Sequence, residues 1–198
     1  MAVSADKIDM KKFDFLLRFS SPVFKRVPQT RLETLYAQAD AYGAGLALKY
    51  SFDPYKTEEN AREFGVLIIP YNEEERSKYG DKAYYDPGAK EIHWNSQFPA
   101  YVLKDVQARC RLKDENTVAA AVLTHEFFHH IEEHSELPAD EYLSKTNGVH
   151  VNPVFREIAA FSFTNVKLFP FCSQYIDLFQ LKIENPNRYE ALAALCRA

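Results

Sequence analysis

The chain lacks the features that mark several protein classes. Its three cysteines, Cys110, Cys172 and Cys196, lie far apart with no CxxC pair. Neither a disulfide framework nor a thiolate metal finger is legible, and reduced thiols in a cytoplasmic protein are the expectation. No apolar run approaches the roughly 20 residues that span a bilayer. Phe13, Phe15, Leu16, Leu17 and Phe19 behind Lys11-Lys12 have the outline of a leader peptide, but Asp14 and Arg18 interrupt the run and no small-residue cleavage site follows cleanly. Excess positive charge is missing too: the formal net charge is -4, and basic residues alternate with acidic ones in Glu73-Glu74-Glu75-Arg76 and Arg111-Leu112-Lys113-Asp114. That is a solvated surface and not a phosphate-binding face, so neither nucleic acid nor membrane is an expected partner. The absence of repeats and low-complexity blocks excludes solenoids and long linkers.

What is present is enough apolar material for one core. Of 198 residues, 46% are hydrophobic and 14% aromatic, which sets global disorder aside. We expect a single domain over 1–198, with 1–29 as an N-terminal segment and 169–198 as C-terminal helices.

Along the chain, Leu32, Leu35, Tyr36 and Ala39 recur at helical spacing, and Thr30 with Glu33 reads as a capping box. Gly43 and Gly45 break this pattern, which predicts a strand over Leu46–Phe52. A short helix is expected around Thr57–Phe64. The run Val66-Leu67-Ile68-Ile69, between Gly65 and Pro70, reads as a buried strand. Lys82–Tyr85 and Ala89–Trp94 flank the turn sequence Asp86-Pro87-Gly88 and read as two more. Beyond Asn95 the pattern is helical. A long helix runs from about Thr117 to Ser135, capped by Asp114 or Asn116, with Leu123, Phe127 and Ile131 as its apolar stripe. After a loop containing Asn147-Gly148, further helices are expected from Pro153 to Leu168, from Phe171 to Ile183, and from Pro186 onward. Helix, strands, then helices is an α+β order.

Within the long helix stands His125-Glu126-Phe127-Phe128-His129, an HExxH motif. Residues four apart on a helix lie one above the other, so both imidazoles reach the same side and can share an ion. Glu126, offset from His125 by about 100°, leans toward a solvent molecule at that ion. Zinc suits neutral imidazole and acidifies water, and Glu126 is then placed to take the proton as water attacks a carbonyl.

A third protein ligand must come from elsewhere. In an HExxHxxGxxH pattern the last position would be Ser135, and no Gly lies in the interval, so that arrangement is rejected; His134 is one residue out of register. Glu157, an acidic residue opening the otherwise apolar Phe155–Phe163 with small alanines behind it, is the best remaining candidate. An N-terminal-turn Glu answering the helix dipole is the plainer account of the same residue.

Together His125–His129 and Val154–Phe163 resemble the gluzincin branch of HExxH metallopeptidases, and their order is similar to small bacterial minimal gluzincins, some of which cleave repressor proteins. The resemblance covers about Ile92 to Leu168, and only the HExxH part of it is specific; the longer Asn-Glu signature of thermolysin-like enzymes is absent. It implies a zincin-like fold with a small β-sheet, an active-site helix and a C-terminal helical part. It also implies zinc held by His125, His129 and Glu157, with Glu126 as general base and a peptide or protein as substrate.

Other residues are weighed on the same terms. Glu132, one turn beyond His129 on the same helical side, reads as a surface carboxylate, with a metal ligand or a residue orienting one as the alternatives. His130 reads as packing or solvent. His150, in the loop before the Glu157 helix, is the leading candidate for stabilising an oxyanion, ahead of Tyr142 and Arg156. Ala89–Trp94 is the candidate edge strand for an extended peptide. The expected function is a cytoplasmic zinc metallopeptidase. The alternatives are a regulatory zincin-like protein of narrow or no proteolytic activity that binds a protein partner, and a non-catalytic module stabilised by zinc.

Overall fold

The computed structural model describes residues 8–75, 82–98, 116–139, 141–142 and 153–197. Its elements run in the order α1 (Met10–Phe19), a 3-10 turn (Pro22–Arg26), α2 (Gln29–Lys49), α3 (Thr57–Phe64), β1 (Leu67–Pro70), β2 (Ala83–Asp86), β3 (Glu91–Trp94), α4 (Asn116–Glu133), α5 (Pro153–Lys167), α6 (Gln174–Glu184) and α7 (Pro186–Cys196). The class is α+β, mostly helical with a small mixed sheet, as the element order predicts. Among the described residues, no helix is long and apolar enough to cross a membrane.

Local chemistry accounts for several boundaries. The Asp9 side chain accepts from the Lys12 backbone N–H and starts α1, and Asn185 does the same for Arg188 ahead of Pro186 at α7. Gly65 ends α3 in the left-handed region at φ 66°, where the Val66 N–H closes back on the Ala61 carbonyl at 2.8 Å.

Two expectations for α2 are corrected. The helix opens at Gln29 behind Pro28 with no side-chain cap bond, so Thr30 is already inside it and Thr30–Glu33 is no capping box. It also runs straight through Gly43 and Gly45 to Lys49, and the strand expected over Leu46–Phe52 does not form. Gly43 is there for contact. A Cβ at this position would overlap the carbonyl of Ala159 on α5, so α2 and α5 touch backbone to backbone. The gain from that close packing outweighs the roughly 1 kcal/mol that glycine costs in a helix.

The strands are ordered β1-β3-β2, with β1 parallel and β2 antiparallel to β3. Ala89–Trp94 therefore supplies the central strand, both of whose edges are paired, and it cannot take up an extended peptide. Among the described residues β2 is the edge strand beside α4.

Helix α4 is buried on nearly every side, which is why its apolar residues exceed a single stripe. Val118, Ala121 and Val122 pack with Leu168, Phe171 and Ile176; Phe128 and Ile131 with Tyr42, Leu46 and Phe163; Leu123 and Phe127 with Val66 and Ile92 of the sheet region. The remaining side, carrying His125 and His129, faces a cleft.

Candidate metal centre

The cleft has a volume of about 740 Å³ and is walled by α1, β2, α4, α5 and α6. On its floor the two imidazoles of α4 meet the carboxylate of α5. His125 Nε2 lies 3.3 Å from Glu157 Oε2, and His129 Nε2 lies 3.3 Å from Glu157 Oε1. The His125 and His129 rings are 5.2 Å apart, centroid to centroid. Helical spacing aligns the two rings, and the contact between α4 and α5 brings the carboxylate to them.

This donor set fits a metal ion. Ligands held about 2.0–2.1 Å from a tetrahedral ion are roughly 3.3 Å from one another, which matches both nitrogen–oxygen separations. His125, His129 and Glu157 form a group able to hold a metal, with one donor atom from each lying within 4.8 Å of the others. Burial by itself would raise the Glu157 carboxyl, but the His125 and His129 rings outweigh that and hold it well below the usual carboxylate range.

Glu126 is only 8% exposed and accepts a hydrogen bond from the Tyr85 backbone N–H on β2. Burial pushes its carboxyl up to about 7, against the opposing pull of His129 and Lys82. A carboxyl so poised exchanges protons near neutral pH. The Phe161 ring meets His125 edge-on at 4.7 Å and restricts its rotation.

The remaining sequence candidates fall in different places. His150 lies outside the described residues. Tyr142 packs its ring 5.0 Å from Tyr42, away from the cleft. Arg156 lines the cleft, but its guanidinium donates from Nε and Nη2 to Glu132 at 2.9 and 2.5 Å. Glu132 is thereby corrected: it is 2% exposed and not a surface carboxylate, and its other oxygen accepts the Ala139 N–H at 2.7 Å. His130 is buried against Tyr85, whose hydroxyl lies 2.8 Å from its Nδ1, in keeping with a packing role. His93 stacks on Tyr84 and lies between Glu75 and Glu91, outside the cleft lining.

Three cleft residues escape a reading by motif: Arg18 of α1, Lys82 just before β2, and Asp177 of α6. Arg18 Nη2 donates to Asp177 Oδ2 at 2.6 Å, and Lys82 Nζ pairs with Asp177 Oδ1. The faint sequence signal was the pair Asp14 and Arg18, four apart in an apolar run, which places both on one side of α1.

Compared with known proteins, the chain matches no family model, no curated protein and no solved structure.

Proposed function

We propose that the chain is a zinc-dependent metallopeptidase of the gluzincin type. The observation that carries this reading is the convergence of His125 Nε2, His129 Nε2 and both Glu157 oxygens at 3.3 Å, with Glu126 beside them in the same cleft. Two imidazoles and one carboxylate facing a cleft are a donor set that catalytic zinc would take, and they differ from the four Cys or His ligands that usually close structural sites. Zinc held there supplies Lewis acidity toward a carbonyl and toward water.

The chain's own residues then divide the work. Glu126 takes the proton from the attacking water on its carboxylate and returns it to the departing amine. Tyr85 holds that carboxylate in place through its backbone N–H. Phe161 and the α4 backbone keep His125 aimed at Glu157. The edge of β2 that no described strand pairs runs along the cleft wall and, apart from the Tyr85 N–H already given to Glu126, offers backbone groups to an extended peptide. The placement of Glu126 favours chemistry over a stabilising module, since a purely structural site has no use for a buried proton acceptor beside its ligands.

The test is cleavage of a mixed-sequence peptide pool by the zinc-loaded protein, read by mass spectrometry, beside Glu126→Gln. We expect wild-type cleavage, and in Glu126→Gln an unchanged zinc content with turnover lost. A zinc-loaded wild type that cleaves nothing, or a variant that cleaves as well, would remove the reading.

A further inference from the structure

Beside the metal ligands, one carboxylate serves two cations. Asp177 accepts from Arg18 on one oxygen and pairs with Lys82 on the other, and all three line the cleft. Their side chains are 15%, 23% and 13% exposed for Arg18, Lys82 and Asp177. Within the cleft wall Asp177 is the carboxylate that both cations share, while Arg18 has a second partner in Asp14 outside that wall. Asp14, one turn before Arg18 on the same side of α1, also accepts from it at 3.1 Å; it is buried, bound by Tyr36, and does not line the cleft.

Both cations act on the reaction centre. Lys82 is close enough for its charge to bear on Glu126, and Arg18 for its charge to bear on Glu157. Arg18 also sits over the Phe161 ring that abuts His125, its guanidinium carbon 4.8 Å from the ring centroid. A guanidinium has five N–H donors and an ammonium three, so each keeps donors beyond those given to Asp14 and Asp177. From these residues we infer that Arg18 and Lys82 form a subsite for a substrate carboxylate next to the scissile bond. The substrate is then a peptide bearing an acidic side chain or a free C-terminus at that position.

This inference rests on the metallopeptidase reading, and the experiment separates the two. Peptide hydroxamates anchor at a metal without being cleaved, so binding is measured apart from turnover. Probes carrying the hydroxamate at either end are made in matched pairs, Glu against Gln and free acid against amide, and titrated calorimetrically into the zinc-loaded protein. We expect the carboxylate form of one pair to bind at least about tenfold tighter, the scale of one charge-assisted hydrogen bond; the pair that responds identifies the carboxylate as side-chain or terminal.

In Lys82→Met this preference falls toward one, and Lys82→Arg restores it. Asp177→Asn, which removes the internal competitor, increases the preference severalfold, a change that a merely structural triad would not produce. Neutral probes binding as tightly as acidic ones overturn the subsite and leave the metal reading intact. Failure of every probe to bind the zinc-loaded protein overturns both.

Discussion

Glu132 and Arg156 join the two ligand-bearing helices immediately beside the metal centre. Glu132 lies three residues after His129 and Arg156 directly precedes Glu157, so the two hydrogen bonds from Arg156 to one Glu132 oxygen, at 2.9 and 2.5 Å, fix α4 against α5 where their donors meet. Ala139 N–H completes the coordination of the carboxylate. Arg156→Met leaves Glu132 buried with one partner fewer. Because Arg156 itself reaches solvent, the stability loss is expected near 2–3 kcal/mol, below the roughly 3–5 of a fully buried pair. Denaturant unfolding measures this, and zinc affinity should fall in the same variant. A variant as stable as wild type would show that the pair contributes nothing to holding the helices.

At Gly43, alanine is the informative substitution. On a free helix Gly→Ala gains up to about 1 kcal/mol, but here the added carbon meets the Ala159 carbonyl two residues beyond Glu157. We expect Gly43→Ala to be destabilising by more than about 2 kcal/mol and to weaken zinc binding as α5 is pushed outward. Gly45→Ala, where nothing lies within 4 Å of the added carbon, is the control and should be neutral or stabilising. Equal behaviour of the two variants in thermal unfolding would refute the close-contact account.

Asp177 carries a signature in pH. Burial acts to raise its pKa, but Lys82 and Arg18 prevail and hold it below its ordinary 3.8. A carboxylate depressed on folding contributes stability that is present above the unfolded pKa and is lost as pH falls through the folded value. Asp177→Asn should therefore lower stability most at neutral pH, and the gap to wild type should narrow as pH falls below about 4. Parallel stability curves for the two proteins across that range would contradict the assignment.

Zinc should stabilise the fold in proportion to its binding. At about a hundred times the dissociation constant the expected gain is about 2.7 kcal/mol, or roughly 5–10 °C in Tm for a chain of this size. Glu157→Ala should lose most of that rise while the metal-free melting temperature changes far less. An undiminished zinc-dependent rise in this variant would move the third ligand elsewhere.

How much was legible follows from the range of the interactions involved. The hairpin of β2 and β3 was readable because Asp86-Pro87-Gly88 marks its turn locally, and α3 because Gly65 stops it. The α2 helix was misread at Gly43 because a glycine that breaks a helix and a glycine that admits another helix look alike until the neighbour is known. Glu132 was misread for a similar reason. Its one-turn offset from His129 is visible in sequence, but Arg156, which keeps it buried, lies 24 positions away.

The HExxH spacing alone determines that His125 and His129 share a side of one helix, since the period of an α-helix is a local property of the backbone. Apolar spacing likewise marks one buried stripe on this helix, Leu123, Phe127 and Ile131, whereas its burial on nearly every side was decided by tertiary packing. Which carboxylate reaches the two rings, which strand is left as an edge, and which cations enter the cleft were decided only by tertiary packing. Arg18 and Asp177 are 159 positions apart and Lys82 and Asp177 are 95, and no pattern within a single helix or strand encodes a meeting between residues so far separated.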